Sequence, residues 1–196
     1  MEGVMKEDVL EQIVDDYLQY NGYFTVHNVY FSPRRNHPKY VAAQDRVPSD
    51  LDVLGLNPKR RGTNRVWAIS CKAWQSGFDA PYLLDQLRGK APNPKRPRWM
   101  QFRELWVPKW AEAFRAKVED LTGATAFHYS IAVTRLDGDP TGWQTNGMIR
   151  RNLRGNPLSF LTLEQMWTAL RNTVGLRPAP SEIGRLTQLL KAAGLA

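Results

Sequence analysis

The run Val66-Trp67-Ala68-Ile69-Ser70-Cys71-Lys72-Ala73-Trp74 constrains this chain more than any other stretch. It is apolar enough to be a central strand of a sheet whose two faces are both covered. Lys72 lies inside it, and a lysine in an otherwise apolar strand is costly unless an anion pairs with it. Upstream, residues 49–57 read as a second strand, beginning Ser49-Asp50-Leu51-Asp52-Val53-Leu54. Side chains alternate along a strand, so Asp50 and Asp52 share one face, as do Ser70 and Lys72, with Cys71 turned the other way. Asp52 is therefore the natural partner of Lys72. A carboxylate beside an ammonium, with a backbone carbonyl nearby, is a donor set suited to phosphodiester hydrolysis. The carboxylate holds a hard divalent ion, and the lysine orients water and offsets phosphoryl charge.

Around these two strands the pattern alternates between helix and strand. Residues 5–20 place Val9, Ile13, Val14, Tyr17 and Leu18 at helical spacing, and Asn21-Gly22 ends the helix. Residues 23–31 read as a strand, 32–48 as an irregular excursion, and 80–90 as a short helix. Residues 100–123 return to helical spacing with a break or kink at Pro108 and a stop at Gly123. Trp106, Trp110 and Phe114 recur at four-residue spacing, a core stripe. Residues 126–136 form a strand, 141–157 read as irregular and basic, and 159–163 as a last strand. Thr162 and Ser181 stand where they would cap two closing helices. The expected fold is α/β, with a mixed central sheet flanked by helices and a helical C-terminal extension. One domain spans 1–163, with a basic helical insertion at about 80–123, and the helices of 164–196 pack on it.

Composition narrows the partners. Lys and Arg number 27 against 19 Asp and Glu, a formal charge of +8 that favours a polyanion. Between Gln86 and Lys117 nine basic residues face two acidic ones, a local excess of seven. Pro94-Lys95-Arg96-Pro97-Arg98-Trp99 mixes cations with an indole and suits phosphate contact with stacking on a base. The alternative is an exposed basic loop whose tryptophan packs on the core. Lys59, Arg60 and Arg61 lie in the turn between the two key strands, Gln75 follows Lys72-Ala73-Trp74, and each is a candidate DNA contact. No apolar run approaches a membrane span, and the N-terminus lacks the order of a signal peptide. A single cysteine, Cys71, excludes an internal disulfide, so a cytoplasmic setting is expected.

The series Glu11, Gly22-Tyr23, Asp52-Val53-Leu54-Gly55 and Val66-Trp67-Ala68-Ile69-Ser70-Cys71-Lys72 resembles the PD-(D/E)xK nuclease superfamily, which has a restriction endonuclease-like core. The resemblance covers roughly residues 7–76; beyond them only the order of elements is similar. It implies that Asp52 is the metal aspartate, Lys72 the catalytic lysine, Glu11 the helix acid and the Cys71 carbonyl a further ligand to Mg²⁺ or Mn²⁺. Ser70 stands where the family carries its second acid, and a neutral hydroxyl is a poorer Mg²⁺ ligand than a carboxylate. Asp50 or Glu11 would then have to supply the missing charge. The expected activity is that of a metal-dependent DNA endonuclease of restriction, repair or mobile-element type, acting as a monomer or a homodimer. The alternatives are a DNA-binding module that has kept the fold and lost the chemistry, and an accessory factor that merely carries positive charge.

Overall fold

The computed structural model describes residues 9–92, 97–175 and 179–195. Helix α1 (Val9–Tyr20) buries Leu10, Ile13, Val14 and Leu18, and its acids lie between those apolar positions. Strands β1 (Phe24–Phe31), β2 (Ser49–Leu56) and β3 (Val66–Lys72) follow as an antiparallel meander. The excursion between β1 and β2 is irregular apart from one helical turn, α2 (Ala42–Asp45). Beyond β3 come the two-residue strand β4 (Phe78–Asp79) and α3 (Ala80–Leu87), which Asp79 caps by accepting from the Tyr82 amide.

The expected helix over 100–123 is in fact two. Helix α4 (Arg103–Trp106) stops at Val107, and α5 (Pro108–Thr122) begins anew with Pro108 at its first position. The residue before a proline is pushed out of the helical region, and Val107 is extended at φ −112° and ψ 115°. Gly123 closes α5 at φ 65°, a left-handed conformation that glycine adopts without penalty. Strand β5 (His128–Val133) returns to the sheet, and the two-residue β6 (Leu136–Asp137) pairs with β4.

Residues 141–157, read as irregular from sequence, hold two short helices, α6 (Thr141–Gln144) and α7 (Gly147–Asn152). They are too brief for periodicity to register, but Asn146 caps α7 through the Met148 and Ile149 amides. Strand β7 (Leu158–Thr162) completes the sheet. Then α8 (Leu163–Thr173) and α9 (Glu182–Ala192) start on Thr162 and Ser181 as caps, with a full capping box between Thr162 and Gln165.

The sheet order is β1-β2-β3-β5-β7, antiparallel through β3 and parallel from β3 onward. It is thus a mixed sheet in an α/β fold, with helices on both sides. Leu54, Val66, Ala68, Tyr129, Ile131 and Val133 belong to the apolar cluster that includes Leu105, Trp110 and Phe114 of α4 and α5. Val53, Ile69 and Ala132 belong to the cluster formed with α1 and α8. Helix α9 joins α1 through the Ser181 hydroxyl, which donates to Asp16 at 2.5 Å. No helix among the described residues is long and apolar enough to cross a membrane.

A candidate active-site cleft at the ends of two strands

The β2–β3 ladder pairs Leu56 with Val66 at the turn and Val53 with Ile69 at its other end. Two residues further along β3 the amide of Cys71 donates to a side chain: Asp52 Oδ2 accepts it at 2.5 Å. The carboxylate thus takes up a backbone group at the end of the recorded ladder. On the far side of β2 the β1–β2 pairing skips the step opposite Asp52, where Asn28 of β1 is left-handed at φ 50°. Leu51 and Leu54, of opposite parity, consequently fall in the same apolar cluster.

A cavity of about 360 Å³ opens here. It is lined by Asp50, Asp52, Ser70, Cys71 and Lys72 from the strands and by Trp74, Met100, Gln101 and Glu104 from beyond them. The structure therefore brings together the residues that the two strand patterns singled out. The Lys72 ammonium donates to Ser70 Oγ at 2.8 Å and lies 5.8 Å from the centre of the Phe102 ring. The Ser70 hydroxyl also favours the charged forms of the Asp52 carboxyl and the Tyr129 phenol. Burial pushes the Asp52 carboxyl up, the Lys72 ammonium and the Cys71 amide pull it partly back, and the neighbouring charge of Asp50 adds to the rise. Asp50 itself is exposed at the rim.

Glu104, which the sequence reading passed over, is the fourth ionisable group of the cavity. It is 4% exposed and accepts the phenolic hydroxyl of Tyr129, which is fully buried. Burial raises the Glu104 carboxyl above its ordinary range, against the opposing effects of the Tyr129 hydrogen bond and Lys72. Burial, with the Glu104 charge next, likewise raises Tyr129 well above 10.0. No local sequence signal marks Glu104, because an acid inside a helical pattern reads as solvated surface.

The sign of the Glu104 shift makes a prediction about stability. An acid with a raised folded pKa contributes stability below its unfolded pKa and loses it as pH rises through the folded value. Glu104→Gln keeps an acceptor for Tyr129 and removes the buried charge, so the metal-free variant melts above wild type at pH 8 by about 1–2 kcal/mol. Thermal denaturation in EDTA at pH 5 and pH 8 measures this, and a variant that melts below wild type at pH 8 would overturn it.

Other expected site residues lie elsewhere. Glu11 is on α1, which packs with the cluster on the other side of the sheet, and it does not line the cavity. Lys59, Arg60 and Arg61 do not flank the site. They occupy the β2–β3 turn at the opposite end of the strands, roughly 15 Å along β2 from Asp52. The Arg60 guanidinium lies 5.3 Å from the centre of the Tyr23 ring there. The reason is direct: a hairpin turn is at one end of its ladder, and the Asp52 pair is at the other.

Trp74 lines the cavity, whereas Gln75 is exposed in the turn just beyond it. Lys95 and Arg96 fall outside the described residues. Arg98 donates to Gln86 at 2.7 Å and to Gln101 at 2.6 Å, and its guanidinium stands 5.5 Å from the centre of the Trp74 ring. It braces the cavity wall. Trp99 is half-buried and packs on the larger apolar cluster, so the core-packing alternative describes it.

Three carboxylates (Asp50, Asp52, Glu104) against one ammonium (Lys72) leave the lining with two formal negative charges in excess. Such a site repels a phosphodiester and attracts a divalent cation. Among the described residues no three carboxylate, imidazole or thiolate side chains converge on one point. Mg²⁺ needs only one or two carboxylates and keeps several waters, so the chemistry of a lining that contains Asp52 and Glu104 suits it.

Comparison with known proteins adds little to this geometry. No family model matches the chain, and no curated protein does. Among solved structures, a crystal structure of a protein of unknown function, AF1548, is similar over 94% of this chain and 77% of its own. The two share 14% sequence identity, with a TM-score of 0.35.

Proposed function

We propose that the protein is a metal-dependent endonuclease acting on DNA, with Asp52 and Lys72 at the centre of its site. One observation carries this reading: two residues from separate strands, each costly to bury alone, share one cleft with an excess of negative charge. The group implied is Mg²⁺ or Mn²⁺, held by the Asp52 carboxylate with Glu104 and Ser70 beside it. Such an ion supplies Lewis acidity toward a phosphoryl oxygen and a water of lowered pKa. The Cys71 amide orients the Asp52 carboxylate by occupying Oδ2. Ser70 holds the Lys72 ammonium, which then offsets charge on the phosphoryl oxygens as water attacks phosphorus and the leaving oxygen departs. Trp74 and Gln101 shape the mouth through which the backbone enters.

DNA as the substrate rests on the formal charge of +8. A degenerate DNA-binding module is the second reading, favoured by the Ser70 hydroxyl already accepting from the Lys72 ammonium. Incubating the protein with supercoiled, linear and branched DNA, in Mg²⁺, in Mn²⁺ and in EDTA, separates the two. Cleavage that EDTA abolishes is the expected result. Salt-sensitive binding without cleavage in either metal would leave the module, and no binding at all would reject both.

A further inference from the structure

We infer that Glu104 is the second acidic ligand of the cation site, taking over from α4 the place that Ser70 leaves without charge on β3, with Tyr129 as its positioning residue. The inference rests on the reading that Asp52 holds a cation. It assigns a ligand that the two strands themselves do not contain.

The burial of Glu104 is the first argument. Phe102 and Leu105 on either side are 1% and 0% exposed and fill the apolar space, so packing has no need of a carboxylate between them. Burying one is costly unless it is paired or binds an ion. Two other acids are buried: Asp45 accepts from Lys109 at 2.6 Å, from Trp110 Nε1 at 3.0 Å and from the Val41 amide at 2.7 Å, and Asp16 accepts the Ser181 hydroxyl where α9 meets α1. Glu104 accepts one phenol and feels the Lys72 ammonium through its charge, and it lines the cavity that Asp52 and Lys72 enter. It thus carries fewer side-chain hydrogen bonds than Asp45 and opens on a cavity that a cation could share with it.

Tyr129 fixes the direction. Its phenol donates to Glu104 and also meets the Ser70 hydroxyl, so one side chain links the serine of β3 to the acid of α4. Ligands fixed by a partner hydrogen bond bind metal better, and losing such a partner commonly costs about ten- to a hundredfold in affinity. Phe102, at φ −139° and ψ 41°, breaks the preceding helical turn and lets α4 start with Glu104 pointing across the cleft.

The test measures metal binding, with catalysis left aside. Mn²⁺ is titrated into the protein without DNA and followed by electron paramagnetic resonance, and Tb³⁺ luminescence sensitised by the cavity tryptophan serves as a second signal. Wild type and the variants Asp52→Asn, Glu104→Gln and Tyr129→Phe are compared. Glu104→Gln is expected to weaken Mn²⁺ binding by about a hundredfold and Tyr129→Phe by about tenfold. In the decisive variant Ser70→Glu is added to Glu104→Gln, which restores the acid to β3 and should recover most of the lost affinity. A purely structural glutamate would not be rescued in this way, and circular dichroism confirms that each variant is folded. If Asp52→Asn loses Mn²⁺ while Glu104→Gln binds it as wild type does, Glu104 is no ligand and the Asp52 reading stands. If wild type binds neither ion, both fall together. Loss in Glu104→Gln without rescue by Ser70→Glu would overturn the exchange between β3 and α4.

Discussion

On the proposed function, Asp52→Asn and Lys72→Met are each expected to lower Mg²⁺-dependent DNA cleavage by about three orders of magnitude while leaving the protein folded. The two losses have different physical origins. Asparagine keeps an oxygen to accept the Cys71 amide, so the local backbone is preserved while the proposed cation site loses a charged oxygen. Methionine keeps the length and apolar stem of Lys72 beside Phe102 and deletes only the ammonium. Asp52→Asn therefore weakens metal and activity together, whereas Lys72→Met holds the ion and loses turnover. Steady-state cleavage on a nicking assay, paired with Mn²⁺ titration, reads both. The double variant is expected to be little worse than Asp52→Asn, because the groups act as one unit. Wild-type turnover in either single variant would place the chemistry elsewhere.

The strand half of the site was legible because it obeys local rules. Alternation put Asp52 and Lys72 on compatible faces, and an uncompensated lysine in Val66–Lys72 demanded an anion nearby. The caps at Thr162 and Ser181 and the stop at Gly123 were legible for the same reason, since each needs only a few adjacent residues. The insertion half was not. Glu104 is 32 positions from Lys72 and sits in Phe102-Arg103-Glu104-Leu105-Trp106, where an acid within a helical pattern looks like solvated surface. Only the packing of α4 against the sheet face reveals that it points inward. The basic turn at 59–61 misled in the opposite sense. It is close to Asp52 in sequence, yet a strand is rigid, and sequence proximity along it is distance in space. Arg98 looked like a free cation because a sequence does not say which side chains will claim it, and here Gln86, Gln101 and Trp74 do.

The largest effect on stability belongs to a residue outside the cleft. Asp45 lies in the excursion between β1 and β2, and its side chain is inaccessible to solvent. Lys109 of α5 donates to it at 2.6 Å and also to the Lys39 carbonyl at 2.9 Å, while Trp110 donates from its indole. The carboxylate thereby ties residues 39–45 to α5, and Val47 accepts from Arg103 at 3.0 Å just before β2 begins. Asp45→Ala removes the acceptor and leaves an ammonium that is only 9% exposed, together with a buried indole N–H, without their partner. Breaking one side of a buried pair costs about 3–5 kcal/mol, which for a domain of this size lowers the melting temperature by roughly 10 °C. Exchange for leucine, which adds apolar volume without an acceptor, should not recover it, because the stranded charge of Lys109 is the cause. Lys109→Met in the Asp45→Leu background removes that charge and should restore a large part of the loss. The pH dependence has a definite sign. Burial pushes the Asp45 carboxyl up, but the Lys109 ammonium and the Val41 and Trp110 N–H groups outweigh it and hold the acid below 3.8. Its stabilisation is therefore present above the unfolded pKa and lost as pH falls through the lower folded value. Wild type should lose stability on acidification below about pH 4 more steeply than Asp45→Ala does. Melting curves taken from pH 7 to pH 3 that run parallel for the two proteins would show that Asp45 carries no such linkage.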